Sequence, residues 1–215
     1  MAGLAFLFLP LVLAADPAPC CTSSKFTATL LELGGYVQPI TNIPTPIDLM
    51  ATVYYDYDDK ILRADRDVPR ADGSMERITV ISNYNLKKTY TIVGGTCQIT
   101  NQTEPMTANC LPSSATFVST TKIGASDRSF SVNTWRLGPI ANVTLKISLT
   151  ADHCIPFSES TFGRVNGVIT EVSYMFMDFK RSIPDKIFTL PNSCHETVQG
   201  PVVGRRSIVK SMFLP

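Results

Sequence analysis

Six cysteines, Cys20, Cys21, Cys97, Cys110, Cys154 and Cys194, constrain this chain more than any other feature, because all of them follow an apolar leader. Residues 1–15 carry no charged side chain, the apolar run is broken only by Gly3 and Pro10, and small residues close it at Ala14 and Ala15. A bilayer needs about 20 apolar residues, so this run is too short to span one and reads as a signal peptide over 1–15. An even number of cysteines in an exported chain reads as a disulfide framework, and spacing alone does not choose among the pairings. Two sequons, Asn101-Gln102-Thr103 and Asn142-Val143-Thr144, agree with export and offer glycan acceptors at Asn101 and Asn142.

The local pattern downstream has period two. Val143, Leu145, Ile147 and Leu149 alternate with Thr144, Lys146 and Ser148, and Phe26, Ala28 and Leu30 alternate with Thr27 and Thr29. Such alternation makes half-buried strands. Residues 52–57 and 60–64 read as a hairpin turning at Asp58-Asp59. Stretches 78–81, 89–93, 115–121 and 129–137 are further strands by their Val, Ile, Thr, Tyr and Phe content. Residues 168–179 are apolar on both faces, with Val168, Val172, Tyr174 and Phe176 on one and Ile169, Met175, Met177 and Phe179 on the other. A strand of that kind is expected at the centre of a sheet, covered twice. Residues 38–49 hold three prolines and read as an extended connection or an insertion. No stretch carries a capped helical stripe, so the fold class is mostly β. The chain divides into the leader 1–15, a single β domain over 16–196 and a tail over 197–215.

Chemistry-bearing motifs are few. The 19 basic and 18 acidic residues nearly cancel, which excludes nucleic acid as a partner, since that partner needs a strong basic field. No later segment reaches membrane-spanning length. His153 and His195 each sit beside a cysteine, Cys154 and Cys194, and a zinc site there would need reduced thiols that exported chains rarely keep. No G-x-S-x-G elbow is present, and the chain reads as no enzyme, with no catalytic residue to name. Asp56, Asp58 and Asp67 fall on three ligand positions of an EF-hand loop, but Lys60 and Ile61 stand where a ligand and the turn glycine belong. What remains is a looser oxygen-lined Ca²⁺ site at Asp56 and Asp58, weighed against a plain solvated turn. No other cofactor is implied.

Taken in order, several pieces resemble the ependymin-related family. They are Cys20-Cys21; Tyr55-Asp56-Tyr57-Asp58-Asp59-Lys60-Ile61-Leu62-Arg63; Tyr90-Thr91-Ile92 before Thr96-Cys97; Cys110-Leu111-Pro112; Ala115-Thr116-Phe117 and Ile123-Gly124. Trp135, His153-Cys154-Ile155-Pro156, Phe176-Met177-Asp178-Phe179, Ile183-Pro184-Asp185, Phe188 and Pro191-Asn192-Ser193-Cys194 complete the series. The resemblance implies two stacked antiparallel sheets forming a half-open barrel with a hydrophobic pocket, similar to lipoprotein carriers. It implies a secreted or lysosomal glycoprotein, often a homodimer, that binds lipid or another apolar molecule. Calcium binding and cell–matrix adhesion are the family's alternative roles. It also implies that Cys97 pairs with Cys194, and that Cys154 pairs with one of Cys20 and Cys21, leaving the other for Cys110. Val172, Tyr174, Phe176 and Trp135 are then the candidates to line the pocket.

Overall fold

The computed structural model describes residues 15–38, 40–70, 72–140, 143–165 and 168–194. The signal peptide except Ala15, the acceptor Asn142, His195 and the tail 197–215 lie outside them. Alternating sequence becomes strand throughout: β1 Lys25–Val37, β2 Pro44–Asp56, β3 Ile61–Pro69, β4 Met75–Asn83, β5 Lys88–Val93, β6 Thr96–Asn101, β7 Thr116–Ala125, β8 Arg128–Ile140, β9 Val143–Thr150, β10 Pro156–Val165 and β11 Val168–Lys180. A 3-10 turn, Asn192–Cys194, is the one helical element among the described residues. No helix there is long and apolar enough to cross a membrane.

The strands form two meanders, β1 to β6 and β7 to β11, and β11 pairs antiparallel with β1 between Thr27 and Tyr36. The result is one antiparallel sheet of eleven strands, with β6 and β7 as its edges. The two stacked sheets implied by the resemblance are here continuous, because the β1–β11 ladder joins the meanders through backbone hydrogen bonds. Strands spaced about 4.8 Å would put the edges of a flat sheet of this size about 48 Å apart. Only residues 102–115 connect β6 to β7. That segment could reach about 50 Å only if fully extended, and it turns where Ala115 N–H donates to Pro112 O. The sheet therefore curls, and the crossing segment lies inside the curl: Met106, Leu111 and Ala115 pack on the main core. The expected half-open form follows, since β6 and β7 do not pair.

The inner face is the core face. It carries Phe26, Ala28 and Leu30 from β1, Val53 and Tyr55 from β2, Leu62 from β3, Trp135 and Leu137 from β8, Ile147 and Leu149 from β9, and Val172, Tyr174 and Phe176 from β11. Full burial of each large side chain stabilises by about 1.5–3 kcal/mol. Phe26 stacks on Tyr55 at 4.8 Å and on Phe179 at 5.1 Å. The Phe179 contact corrects its expected place on the opposite face. Asp178 adopts φ 52° and the β1–β11 register shifts between Thr27 and Thr29, so one extra residue turns Phe179 inward. The outer face of β11 is not covered either, since Ile169 and Met175 remain exposed. A smaller cluster, Ile81, Tyr90, Cys97 and Cys194, sits on the outer face under the segment 181–194. Thr27 donates to Ser182 O at 2.8 Å and Arg63 to Ile187 O at 2.6 Å, holding that segment down.

All six cysteines are oxidised, as Cys20–Cys154, Cys21–Cys110 and Cys97–Cys194. Cys21–Cys110 ties the N-terminal segment to the crossing segment, and Cys20–Cys154 ties it to the turn between β9 and β10. Thr22 N–H donates to Asn109 O and Leu111 N–H to Cys20 O alongside them.

Residues 38–49 are only in part a connection. Their second half is strand, pairing with β1 from Val37↔Pro44 onward. The β2–β3 ladder begins only at Ala51↔Arg66, so Pro44 and Pro46 lie on a local sheet edge, where a residue lacking an amide hydrogen is tolerated. Gly34 in β1 lets β11 come close: at φ 153°, a Cβ there would stand 2.2 Å from Glu171 O and 2.7 Å from Val172 Cα. Gly34→Ala should thus force the two meanders apart and cost about 1–3 kcal/mol in urea unfolding, whereas a loss under a few tenths would show the junction to be slack.

Candidate functional site

The side chains that matter most are placed by a break in the sheet. β2 pairs with β1 along its whole length, but its ladder with β3 spans only Ala51↔Arg66 to Asp56↔Ile61. β3 continues beyond that point with β4, through Asp67↔Arg77 to Pro69↔Met75. The two strands part above Arg66, opening a cleft in the wall of the curl. Its inner face presents Ile47, Leu49 and Ala51 from β2, Val68 from β3, and Ile78 and Val80 from β4, all half-buried. At the rim, Arg77 pairs with Asp67 and Arg70 with Glu76, which hold both carboxyls below their ordinary range.

Behind the cleft, one lateral row crosses six strands of the inner face: Leu49, Glu32, Tyr174, Glu159, Ile147 and Trp135. The next row is Ile47, Gly34, Val172, Thr161, Leu145 and Leu137. The curl thus gathers the pocket candidates onto one face, with Tyr174 and Trp135 in the same row. Each is buried in the core: Val172 and Tyr174 are 0% exposed, Trp135 2% and Phe176 7%. Trp135 meets Phe117 edge to face at 5.4 Å.

Sequence reasoning passed over the polar members of these rows. Glu32 is 7% exposed, Glu159 0% and Thr161 1%. Tyr174 Oη donates to Glu32 Oε1 at 3.2 Å. Arg66 shares the inner face at the last rung of the β2–β3 ladder. No local signal marks them, because a Glu between Leu31 and Leu33 looks like the solvent position of an alternating strand. The strand β10 went unseen for the same reason: its inward residues are Glu159 and Thr161.

The acidic turn is built differently. Asp56 is 1% exposed, its Oδ1 accepts from Asp59 N–H, and Lys25 Nζ lies 2.9 Å from its Oδ2. The same ammonium lies 3.5 Å from Asp59 and 4.0 Å from Asp58. The turn carboxylates therefore already face a cation of the chain itself. Among the described residues, no group of three or more His, Cys, Asp or Glu is arranged to hold a metal ion. His153 lies 3.4 Å from Asp152 beside the disulfide-bonded Cys154. Asn101 is exposed at the end of edge strand β6.

Three groups tie stability to alkaline pH. Burial pushes the Tyr84 hydroxyl up to about 12 and raises Tyr55, whose Oη donates to Thr107 O at 2.7 Å. The hydrogen bond to Asp56 raises Lys25. Each group holds its proton in the folded chain beyond the pH at which the unfolded chain releases it. Its contribution is whole below the ordinary Tyr or Lys value and is lost as pH climbs through the raised one. Melting temperature should fall steeply between about pH 10 and 12. Absorbance titration should show two of the seven tyrosines ionising only with unfolding; all seven titrating together before unfolding would contradict this.

On the opposite face, Leu33, Pro46, Phe162 and Ile169 line an open groove of about 760 Å³, with Phe162 59% exposed.

The Ependymin family model matches residues 72–194, more than half of the chain. No curated protein matches in sequence. Among solved structures, the chain is similar to an uncharacterized conserved protein from Thermus thermophilus, at 11% identity over 83% of this chain and 91% of that one, with a TM-score of 0.44. It is also similar to a LolA superfamily protein from Nitrosomonas europaea, at 14% identity over 77% of this chain and 90% of that one, with a TM-score of 0.31.

Proposed function

This chain belongs to the Ependymin family, and on that premise we propose that it is an exported, non-enzymatic binder of a lipid or fatty-acyl ligand held inside the curled sheet. The observation that carries the reading is the aliphatic wall at the cleft. Ile47, Leu49, Val68, Ile78 and Val80 face inward but are only half-buried, whereas Phe26 and Tyr55 seal the inner face below them. Half-covered aliphatic groups on a curved inner face gain free energy from an apolar guest, at about 25 cal/mol per Å² removed from water. Tyr174, Val172, Phe176 and Trp135 form the floor against which an acyl chain would end. Three disulfides suit export, and Asn101 is accessible to glycosylation.

A fluorescent acyl-chain probe should bind saturably to the purified protein, and Ile47→Asp or Ile78→Asp should weaken it at least about tenfold, by placing a carboxylate where the chain lies. Phe162→Ser, in the outer groove, should leave binding unchanged. Loss of binding on Phe162→Ser alone would move the ligand to the outer face, and no saturable binding would end the proposal. The alternative role, calcium-dependent cell–matrix adhesion, requires Ca²⁺ to displace Lys25 from Asp56. Calorimetry on Lys25→Gln would then show tighter Ca²⁺ binding than the parent, abolished by Asp56→Asn.

A further inference from the structure

We infer that the open end of the curled sheet docks on a lipid bilayer with zwitterionic head groups, inserting the β1–β2 tip at Ile40 and Ile43. The inference extends the proposed binder to the surface it meets, and it stands on residues outside the acyl cleft. The topology sorts the turns into two ends. The β1–β2, β3–β4 and β10–β11 connections lie at the end where β2 and β3 part. The β2–β3, β4–β5 and β9–β10 turns lie at the other, where Cys20–Cys154 fastens the N-terminal segment. Exposed apolar side chains gather at the first end. Ile40 is 95% exposed, and Ile43 beside it, Met75 after the β3–β4 turn, and Phe162 and Ile169 on β10 and β11 are each half exposed or more. Leu86 and Phe130 are their counterparts at the other end. Large apolar groups collected at one end of a chain mark a contact surface.

Two properties of the tip say what that surface takes. Residues 33–47 carry no charged side chain, so no charge must be desolvated as the tip enters an apolar phase. The tip also satisfies its own polar groups. Gln38 N–H donates to Ile43 O at 3.1 Å, Asn42 N–H to Gln38 O at 2.9 Å, and Thr41 Oγ1 to Gln38 Oε1 at 2.9 Å. Backbone that enters lipid must be satisfied internally, a demand that a protein partner does not make, since it can supply hydrogen bonds itself. Charge around the tip chooses the lipid. Arg70 and Arg77 are each paired with a carboxylate, and at this end of β2, β3–β4 and β10–β11 the acids Asp48, Asp72 and Glu171 outnumber Arg164. Anionic membranes attract basic clusters, and acids prevail here, so adsorption rests on apolar area and suits a zwitterionic surface. The cleft between β2 and β3 opens at the same end, so docking sets it against the bilayer.

The test is flotation with vesicles of phosphatidylcholine alone. The parent protein should float with them equally at about 0.1 M and about 1 M NaCl, and replacing about a fifth of the lipid by phosphatidylserine should not tighten binding. Ile40→Asp and Ile43→Asp should each lower the partition coefficient at least about tenfold, with melting temperature and acyl-probe binding kept, because both side chains lie largely in solvent. Leu86→Asp, at the other end, should change nothing. Ile78→Asp, which weakens acyl binding in the cleft, should still float, so the two readings fail separately. No flotation overturns the docking end, as does flotation that Ile40→Asp and Ile43→Asp leave intact. Binding that needs phosphatidylserine and fades with salt overturns the choice of lipid. Parent dimers that the same two substitutions dissolve, without flotation, give the tips to a second copy and overturn the inference as well.

Discussion

Replacing Cys97 and Cys194 together by alanine is expected to lower the free energy of unfolding by about 4 kcal/mol. The bond joins residues separated by 97 positions, so its removal frees a long loop in the unfolded state. It also releases the cover of the outer cluster. Both cysteines are buried, at 3% and 5% exposure, against Ile81 and Tyr90, and the segment 181–194 would then be held by hydrogen bonds such as those to Thr27 and Arg63. Urea unfolding of the double variant should show a reduced midpoint, and the melting temperature should fall by about 10 °C for a domain of this size. A loss below about 1 kcal/mol would mean that the unbridged segment stays docked and that the unfolded chain gains little freedom.

Trp135→Ala should cost a comparable amount, about 3–5 kcal/mol, for the different reason that it empties a packed position. The indole is 2% exposed, touches Phe117, and stands opposite Ile147 in the row that runs back to Glu159. Trp135→Phe should cost less than about 1.5 kcal/mol, since ring volume is largely kept and Nε1 has no hydrogen-bond partner among the described residues. The contrast between the two substitutions separates packing from hydrogen bonding. Equal losses in both would show the indole N–H to be engaged. Because Trp135 is the single tryptophan, its emission reports the same site directly, and a guest above the row should shift it.

The residues read correctly without a structure are those whose behaviour is local. Phe26, Ala28 and Leu30, or Leu145, Ile147 and Leu149, turn inward together because strand side chains alternate with period two wherever the strand lies. The hairpin at Asp58-Asp59 was visible for the same reason, as β-branched and aromatic runs flanking a short polar turn. Phe179 escaped because a single bulge at Asp178 reverses the count, and a bulge depends on the partner strand. Pro44 and Pro46 disguised the start of β2. A proline argues against a strand unless one side of it is an edge, and that edge exists only because β3 stops pairing at Arg66.

Alternation and the even set of six cysteines thus pointed, before any folding, to a chain that is β-built and oxidised. The tertiary structure alone decided that β1 joins β11, that Cys20 takes Cys154 while Cys21 takes Cys110, and that Glu32 and Glu159 end up in one row under cover. Alternation is a property of neighbouring backbone units. Strand pairing and burial across more than a hundred residues are settled by the summed contacts of the whole sheet, which no local pattern contains.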